Sequence, residues 1–136
     1  MGKLHLEIIT PEKVAVSEEV ESVVAPGSLG EFGVLEGHVP FLSGILPGEI
    51  HYTSGGKLAY LAVTTGFVEI SNDRVSILVD AAERVQDIDL DRARKAMERA
   101  RARLSGDRGS EDIDYVRAEA ALKRAIARIK VAEKTI

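Results

Sequence analysis

Apolar and polar residues alternate along the first part of this chain and recur at three- and four-residue spacing along its last third. Leu4, Leu6 and Ile8 alternate with His5 and Glu7, a period of two that predicts a strand over 4–10 with one buried face. Pro11-Glu12 reads as a turn, 14–16 as a short strand and 19–25 as the next. Further apolar runs of strand length cover 41–45, 49–53, 58–63, 66–70 and 75–79. Ser54-Gly55-Gly56 and Ser71-Asn72-Asp73 carry the chemistry of hairpin turns. From Gly27 to Gly48, glycine and proline interrupt each apolar run, which predicts a compact, shaped loop. Many short strands joined by tight turns predict an antiparallel sandwich or flattened barrel.

The helical pattern is written twice. A shift of 25 residues lays Ile88-Asp89-x-x-Arg92-Ala93 on Ile113-Asp114-x-x-Arg117-Ala118, and Ala96, Arg99-Ala100 and Ala102-Arg103 on Ala121, Arg124-Ala125 and Ala127-Arg128. Such a repeat is one supersecondary unit copied and packed on its sibling, here a helical hairpin. Asp89 is a good N-cap for the first helix, whose stripe is Leu90, Ala93, Ala96 or Met97, Ala100 and Leu104. The stretch 105–110 (SGDRGS) breaks the chain, and Asp112 or Asp114 caps the second helix. Its stripe is Tyr115, Ala118, Leu122, Ala125 or Ile126, Ile129 and Ala132. Alanine seams allow close approach but bury little area, so at ~25 cal/mol per Å2 the hairpin is marginal alone.

Charge sharpens this division. The net charge of -4 combines 5 basic and 12 acidic residues over 1–86 with 13 basic and 10 acidic residues over 87–136. The expected domains are therefore a sandwich over 1–86 and a hairpin over 87–136. With no cysteine, disulfide and thiolate chemistry are excluded. No run approaches the ~20 apolar residues of a membrane span, and none near the N-terminus has signal-peptide length.

Catalytic constellations do not emerge. His5, His38 and His51 have no metal-ligand spacing, and His38, before Val39-Pro40, reads as a structural or interface residue. Gly55-Gly56-Lys57 lacks the remainder of a phosphate loop, and Gly30-x-x-Gly33 opens no helix. The sandwich reads as a binding module, with Glu31, Phe32, Leu35, Val39 and Phe41 available for a mixed apolar and acidic surface.

The arginines are more informative. Arg92, Arg99 and Arg103 share one helix face, and Arg117, Arg124 and Arg128 repeat it. Arg92, Arg103 and Arg117 have Asp89, Asp107 and Asp114 within one helical turn, whereas Arg99, Arg124 and Arg128 have no acid three or four residues away. Like-charge pairs at i,i+4 cost ~0.2–0.5 kcal/mol each. Such arginines either form a solvated face or meet an anion from elsewhere, a phosphate ligand or an acidic protein surface. Nucleic acid is disfavoured by the acidic total and the lack of interleaved aromatics.

Three segments together resemble the ε subunit family of bacterial F-type ATP synthases over essentially all 136 residues. They are Gly30-Glu31-Phe32-Gly33-Val34-Leu35-x-Gly37-His38-Val39-Pro40 with Leu46-Pro47-Gly48, then Gly66-Phe67-Val68-Glu69-Ile70, then the repeated helix motif. The resemblance implies a ten-stranded flattened antiparallel sandwich followed by a two-helix antiparallel hairpin. It implies a non-catalytic rotor part, peripheral on the cytoplasmic face of the bacterial inner membrane, without insertion into it. The sandwich would dock on the γ subunit and c-ring, with Glu31, Phe32, His38 and Pro40 at the interface. The helices would extend into the α/β hexamer to block ATP hydrolysis. In some members the folded-down hairpin binds ATP as a regulatory ligand. Carried over by position, that site is Glu83, Ile88, Asp89, Arg92, Ala93, Arg99, Arg124 and Arg128, with no metal ligand or required cofactor. A purely structural coupling subunit, its arginines on acidic protein surface, is the alternative.

Overall fold

The computed structural model describes residues 3–105 and 112–134, the side chains of 112–114 excepted. Ten strands come first: β1 (Leu4–Ile9), β2 (Val14–Val20), β3 (Ser22–Gly27), β4 (Gly30–Val34), β5 (Phe41–Ile45), β6 (Gly48–Ser54), β7 (Lys57–Val63), β8 (Gly66–Ser71), β9 (Arg74–Val79) and β10 (Ala82–Arg84). A 3-10 turn at Val85–Asp87 leads to α1 (Leu90–Ser105), and α2 (Asp112–Ala132) follows.

Strand order is β10-β7-β6-β3-β5-β8-β9-β1-β2, with β4 added to β3. Between β3 and β5 the pairing narrows to Gly27 opposite Ile45, and there the sheet folds into two layers. Near the other edge the Glu21 N–H donates to the Thr53 carbonyl at 2.7 Å, which draws β2 toward β6 and nearly closes a barrel. The alternation of β1 puts Leu4, Leu6 and Ile8 fully inside, where they meet Ile45, Ile50, Leu61, Ile70 and Ile77. β1 pairs in parallel with β9 and antiparallel with β2.

Both expected hairpin turns form. Gly55 and Gly56 (φ 58° and 78°) link β6 to β7, and Asn72 and Asp73 (φ 52° and 59°) link β8 to β9. These positive φ values suit glycine and asparagine. At Gly66 the constraint is contact, because a Cβ there would run into the Leu78 carbonyl oxygen of β9.

Three expectations need correction. The division between β2 and β3 falls at Glu21, later than 16–19, because β2 keeps its pairing with β1 up to Val20 opposite Leu4. The stretch 27–48 is not all loop, since 30–34 is strand β4, held on β3 by main-chain pairing from Gly27–Gly30 to Val23–Val34. β10 also went unread, a three-residue strand on the edge of β7. The link expected over 105–110 lies outside the described residues beyond Ser105, which closes α1.

The helices run antiparallel, as Arg94 near the start of α1 lies 3.7 Å from Glu133 just past the end of α2. Ala93 and Ala100 of α1 are buried, and so are Ala118 and Ala125 of α2, the same seven-residue interval in each copy. α2 buries a second set, Ala127 and Val131, which the expected stripe omits. Ala127 lies 200° around the helix from Ala125, so α2 is packed on two sides, against α1 and against β6 and β7.

Candidate functional site

Asp89 starts the hairpin. Its Oδ1 accepts the Arg92 N–H at 3.1 Å, and its carbonyl accepts the Ala93 N–H at 3.0 Å. The carboxylate thus caps α1, where the helix dipole also favours it. Ala93 is buried at the helix–helix seam, and Ile88, half-buried, donates its N–H to the Val85 carbonyl at 3.3 Å. The repeated motif therefore has a structural logic of its own: acid as cap, alanine as spacer, arginine beside the spacer.

That spacing fixes where the arginines lie. Arg92, Arg99, Arg117 and Arg124 each precede a buried alanine by one position, and Arg103 and Arg128 follow one by three. On a helix these offsets share one flank, and in an antiparallel pair equal offsets fall on the same flank of the seam. Both copies thus contribute to one basic strip along the hairpin. Arg92, Arg99, Arg103, Arg117 and Arg124 are exposed, and the side chains of Arg99 and Arg124 have no hydrogen-bond or ion-pair partner among the described residues.

Arg128 corrects the sequence reading. It is not left without an acid, because its Nε donates to Glu83 Oε1 at 2.6 Å, with the two side chains 36% and 30% exposed. Glu83 belongs to β10, far from α2 in sequence, so no rule about neighbours along a helix could find it. Of the eight expected ATP-site residues, Glu83 and Arg128 are in direct contact, Asp89 and Arg92 meet through the cap, and Ala93 lies within the seam. The acids expected near Arg103 and Arg117, Asp107 and Asp114, lie outside the residues whose side chains are described.

The opposite flank of α2 borders a cleft of about 690 Å3. Lys123, Ile126 and Lys130 form one wall, Pro26, Glu31 and Pro47 the other, and none of the eight expected ATP-site residues lines it.

Of the expected interface residues, Phe32 and His38 gather on Phe41, whereas Glu31 borders the cleft beside α2. Phe32 packs on the core and meets the Phe41 ring edge-on at 5.2 Å, and the His38 ring lies 5.9 Å from Phe41. Asp73 holds this loop, accepting the Gly37 N–H at 2.7 Å. His38 Nδ1 contacts the Val39 carbonyl at 2.6 Å, and Glu31 and Pro40 are exposed. Exposed apolar residues also occur in the His38 loop, Val39 (68% exposed) and Leu35 (65%), and beside Phe41, Leu42 (72%), while Leu29 (101%) precedes β4 and Phe67 pairs with Leu78 toward the other end of β8 and β9. Exposed apolar side chains on this scale are available for contact with another protein. Leu29, Leu42, Phe67 and Leu78 are not among the expected surface residues, although Leu42 beside Phe41 in a two-period strand already requires one apolar residue to face out.

Near the helix exit, Arg84 Nη1 donates to the buried Tyr52 hydroxyl at 3.2 Å, which donates to Glu18 Oε2 at 3.1 Å. Burial pushes the Tyr52 pKa above its usual 10.0, the Arg84 contact opposing it. No group of acids and histidines among the described residues could hold a metal ion.

Residues 3–85 match the family described as "ATP synthase, Delta/Epsilon chain, beta-sandwich domain", and 86–133 the companion "long alpha-helix domain". The chain is similar to proteins named ATP synthase epsilon chain: 52% identical over 102 residues to that of Nitratidesulfovibrio vulgaris, covering 75% of this chain and 76% of that one. For Desulfosudis oleivorans the identity is 53% over 102 residues, covering 74% and 77%. A chain of the Euglena gracilis mitochondrial ATP synthase (OSCP/F1/c-ring) has the same fold, with TM-score 0.83, 23% identity, and 98% and 83% of the two chains covered. With both segments matched and relatives above half identity, this chain belongs to the ATP synthase delta/epsilon family, on its epsilon side.

Proposed function

We propose that the chain is a non-catalytic rotor subunit of the central stalk of a proton-translocating F-type ATP synthase, coupling γ to the c-ring and regulating ATP hydrolysis through its hairpin. The exposed apolar residues of the sandwich, which accompany the expected interface residues Glu31, Phe32, His38 and Pro40, support the docking role, as does the c-ring that forms part of the Euglena assembly. The complex would hold it peripherally at the cytoplasmic face of a bacterial inner membrane, and no described helix is long and apolar enough to cross one.

The regulatory half rests on one observation: two exposed arginines, Arg99 and Arg124, on one flank of the hairpin, without partners among the described residues. ATP bound there bridges α1 and α2 and stabilises the folded-down hairpin by RT ln(1 + [L]/Kd), about 2.7 kcal/mol at a hundred times Kd. Calorimetric titration of the isolated chain tests this. Saturable binding is expected, weakened at least tenfold by Arg99→Ala or Arg124→Ala with the sandwich still folded. Absence of saturation up to several millimolar ATP removes the sensing role.

A second reading, coupling without nucleotide sensing, is favoured by Arg128, which already takes a protein carboxylate in Glu83. On that reading the arginine strip binds acidic protein surface, and charge reversal at Arg124 weakens inhibition of the assembled enzyme while ATP leaves the isolated chain unaltered.

A further inference from the structure

The hairpin has little apolar grip on the sandwich. α1 packs chiefly against α2, and α2 presents Ala127 and Val131 to the sheet, both small. Apolar burial scales with area, so this contact alone is weak. Charged groups from two strands reach the same end of α2. Glu83 of β10 holds Arg128, and Glu49 of β6 lies 3.5 Å from Lys134 Nζ, which also stands 5.1 Å from the centre of the Tyr60 ring of β7. Glu49 is itself steadied by His51, whose Nδ1 is 3.0 Å from Oε2.

We infer that Glu83–Arg128 and Glu49–Lys134 form an electrostatic clasp that sets how firmly the hairpin docks on the sandwich. Each pair joins a sandwich strand to the C-terminal end of the hairpin, so loosening both frees α2 from the sheet while leaving the alanine seam to α1 in place. Screening weakens the clasp, and at the seam only the exposed Arg94–Glu133 pair and not the alanine burial, which makes docking dependent on ionic strength. The clasp concerns the docked hairpin itself and stands whether or not ATP binds.

The test uses the full chain without nucleotide, so failed ATP binding and a failed clasp are separate results. The chain has no cysteine, so Lys57→Cys on β7 and Lys95→Cys on α1, both exposed, take a dye pair without background. Energy transfer then reports docking between about 0.01 and 1 M salt, over which the screening length falls from about 30 to 3 Å. The docked fraction should fall as salt rises. Glu83→Gln should raise the undocked population about fivefold at low salt, and Glu83→Gln with Glu49→Gln should abolish most of the salt dependence. Arg128→Gln added to Glu83→Gln should cost little more than either alone. Docking that is flat with salt in the unmodified chain, or equally salt-sensitive after both glutamates are neutralised, overturns the inference. A thermal midpoint of the sandwich equal to that of the unmodified chain verifies that the variants fold.

Discussion

The two packed sides of α2 can be separated by substituting two alanines that stand two residues apart. Ala125 faces α1 and is 1% exposed; Ala127 faces the sandwich and is 4% exposed. Leucine at either site adds three carbons to a buried position, and overpacking of this kind costs about 1–3 kcal/mol. At a factor of ten per 1.4 kcal/mol, the affected contact should open about five- to a hundredfold more often. The locations differ. Ala125→Leu pushes α1 from α2, so amide hydrogens of α1 exchange faster by that factor while α2 stays on the sheet. Ala127→Leu lifts α2 with α1 still attached, so docking is lost and the seam persists. Ala102→Leu, on the exposed side of α1, is the control and should change stability by less than about 0.5 kcal/mol. Hydrogen exchange read by mass spectrometry, together with dye-reported docking, measures both. If the two variants have the same exchange pattern, or Ala125→Leu leaves α1 exchange unaltered, the two-sided packing of α2 is wrong.

Other outcomes follow from single contacts. Gly66→Ala should destabilise the sandwich by about 3 kcal/mol, because backbone must move to clear the Leu78 carbonyl, lowering its thermal midpoint by more than about 10 °C. Tyr52→Phe should cost about 1–2 kcal/mol near neutral pH by stripping Arg84 of an acceptor and Glu18 of a donor. Because burial raises the Tyr52 pKa, its stabilising effect is complete below about pH 10 and declines as pH rises toward the higher folded value. Alkaline unfolding curves of Tyr52→Phe should accordingly be flatter than those of the unmodified chain. Truncation after Asp87 should leave coupling in the assembled enzyme and relieve inhibition of ATP hydrolysis; equal inhibition in the truncated complex would remove the hairpin from regulation.

Much of the fold could be read from periodicity, and the exceptions have physical causes. Leu4, Leu6 and Ile8 announce a strand because each faces a full core. β4 does not, since only Val34 of its five residues is fully buried and its bond to β3 runs through backbone that sequence leaves unmarked. The second packed face of α2 is hidden because Arg128 and Lys130 stand between Ala127 and Val131 and make that stretch look solvated. The site divides similarly. Cap, spacer and arginine strip follow from local spacing, whereas the Glu83–Arg128 contact and the Asp73 tether of the His38 loop depend on tertiary folding. A test of charges three and four residues away finds only partners carried by the same helix.

The parallel pairing of β1 with β9 bears on how the chain assembles itself. His5 lies opposite Arg74 and Ile9 opposite Leu78, so β1 stays without that neighbour until most of the sandwich has been synthesised. Contacts so distant along the chain slow folding, because a long loop must close before they form. During translation β1 can pair early with β2 alone, and the layer closes when β9 emerges. The helices come off the ribosome afterwards and meet a finished surface. A hairpin added last to a closed sandwich adds few main-chain bonds to it, so loss of the helices would leave the strand pairing beneath intact.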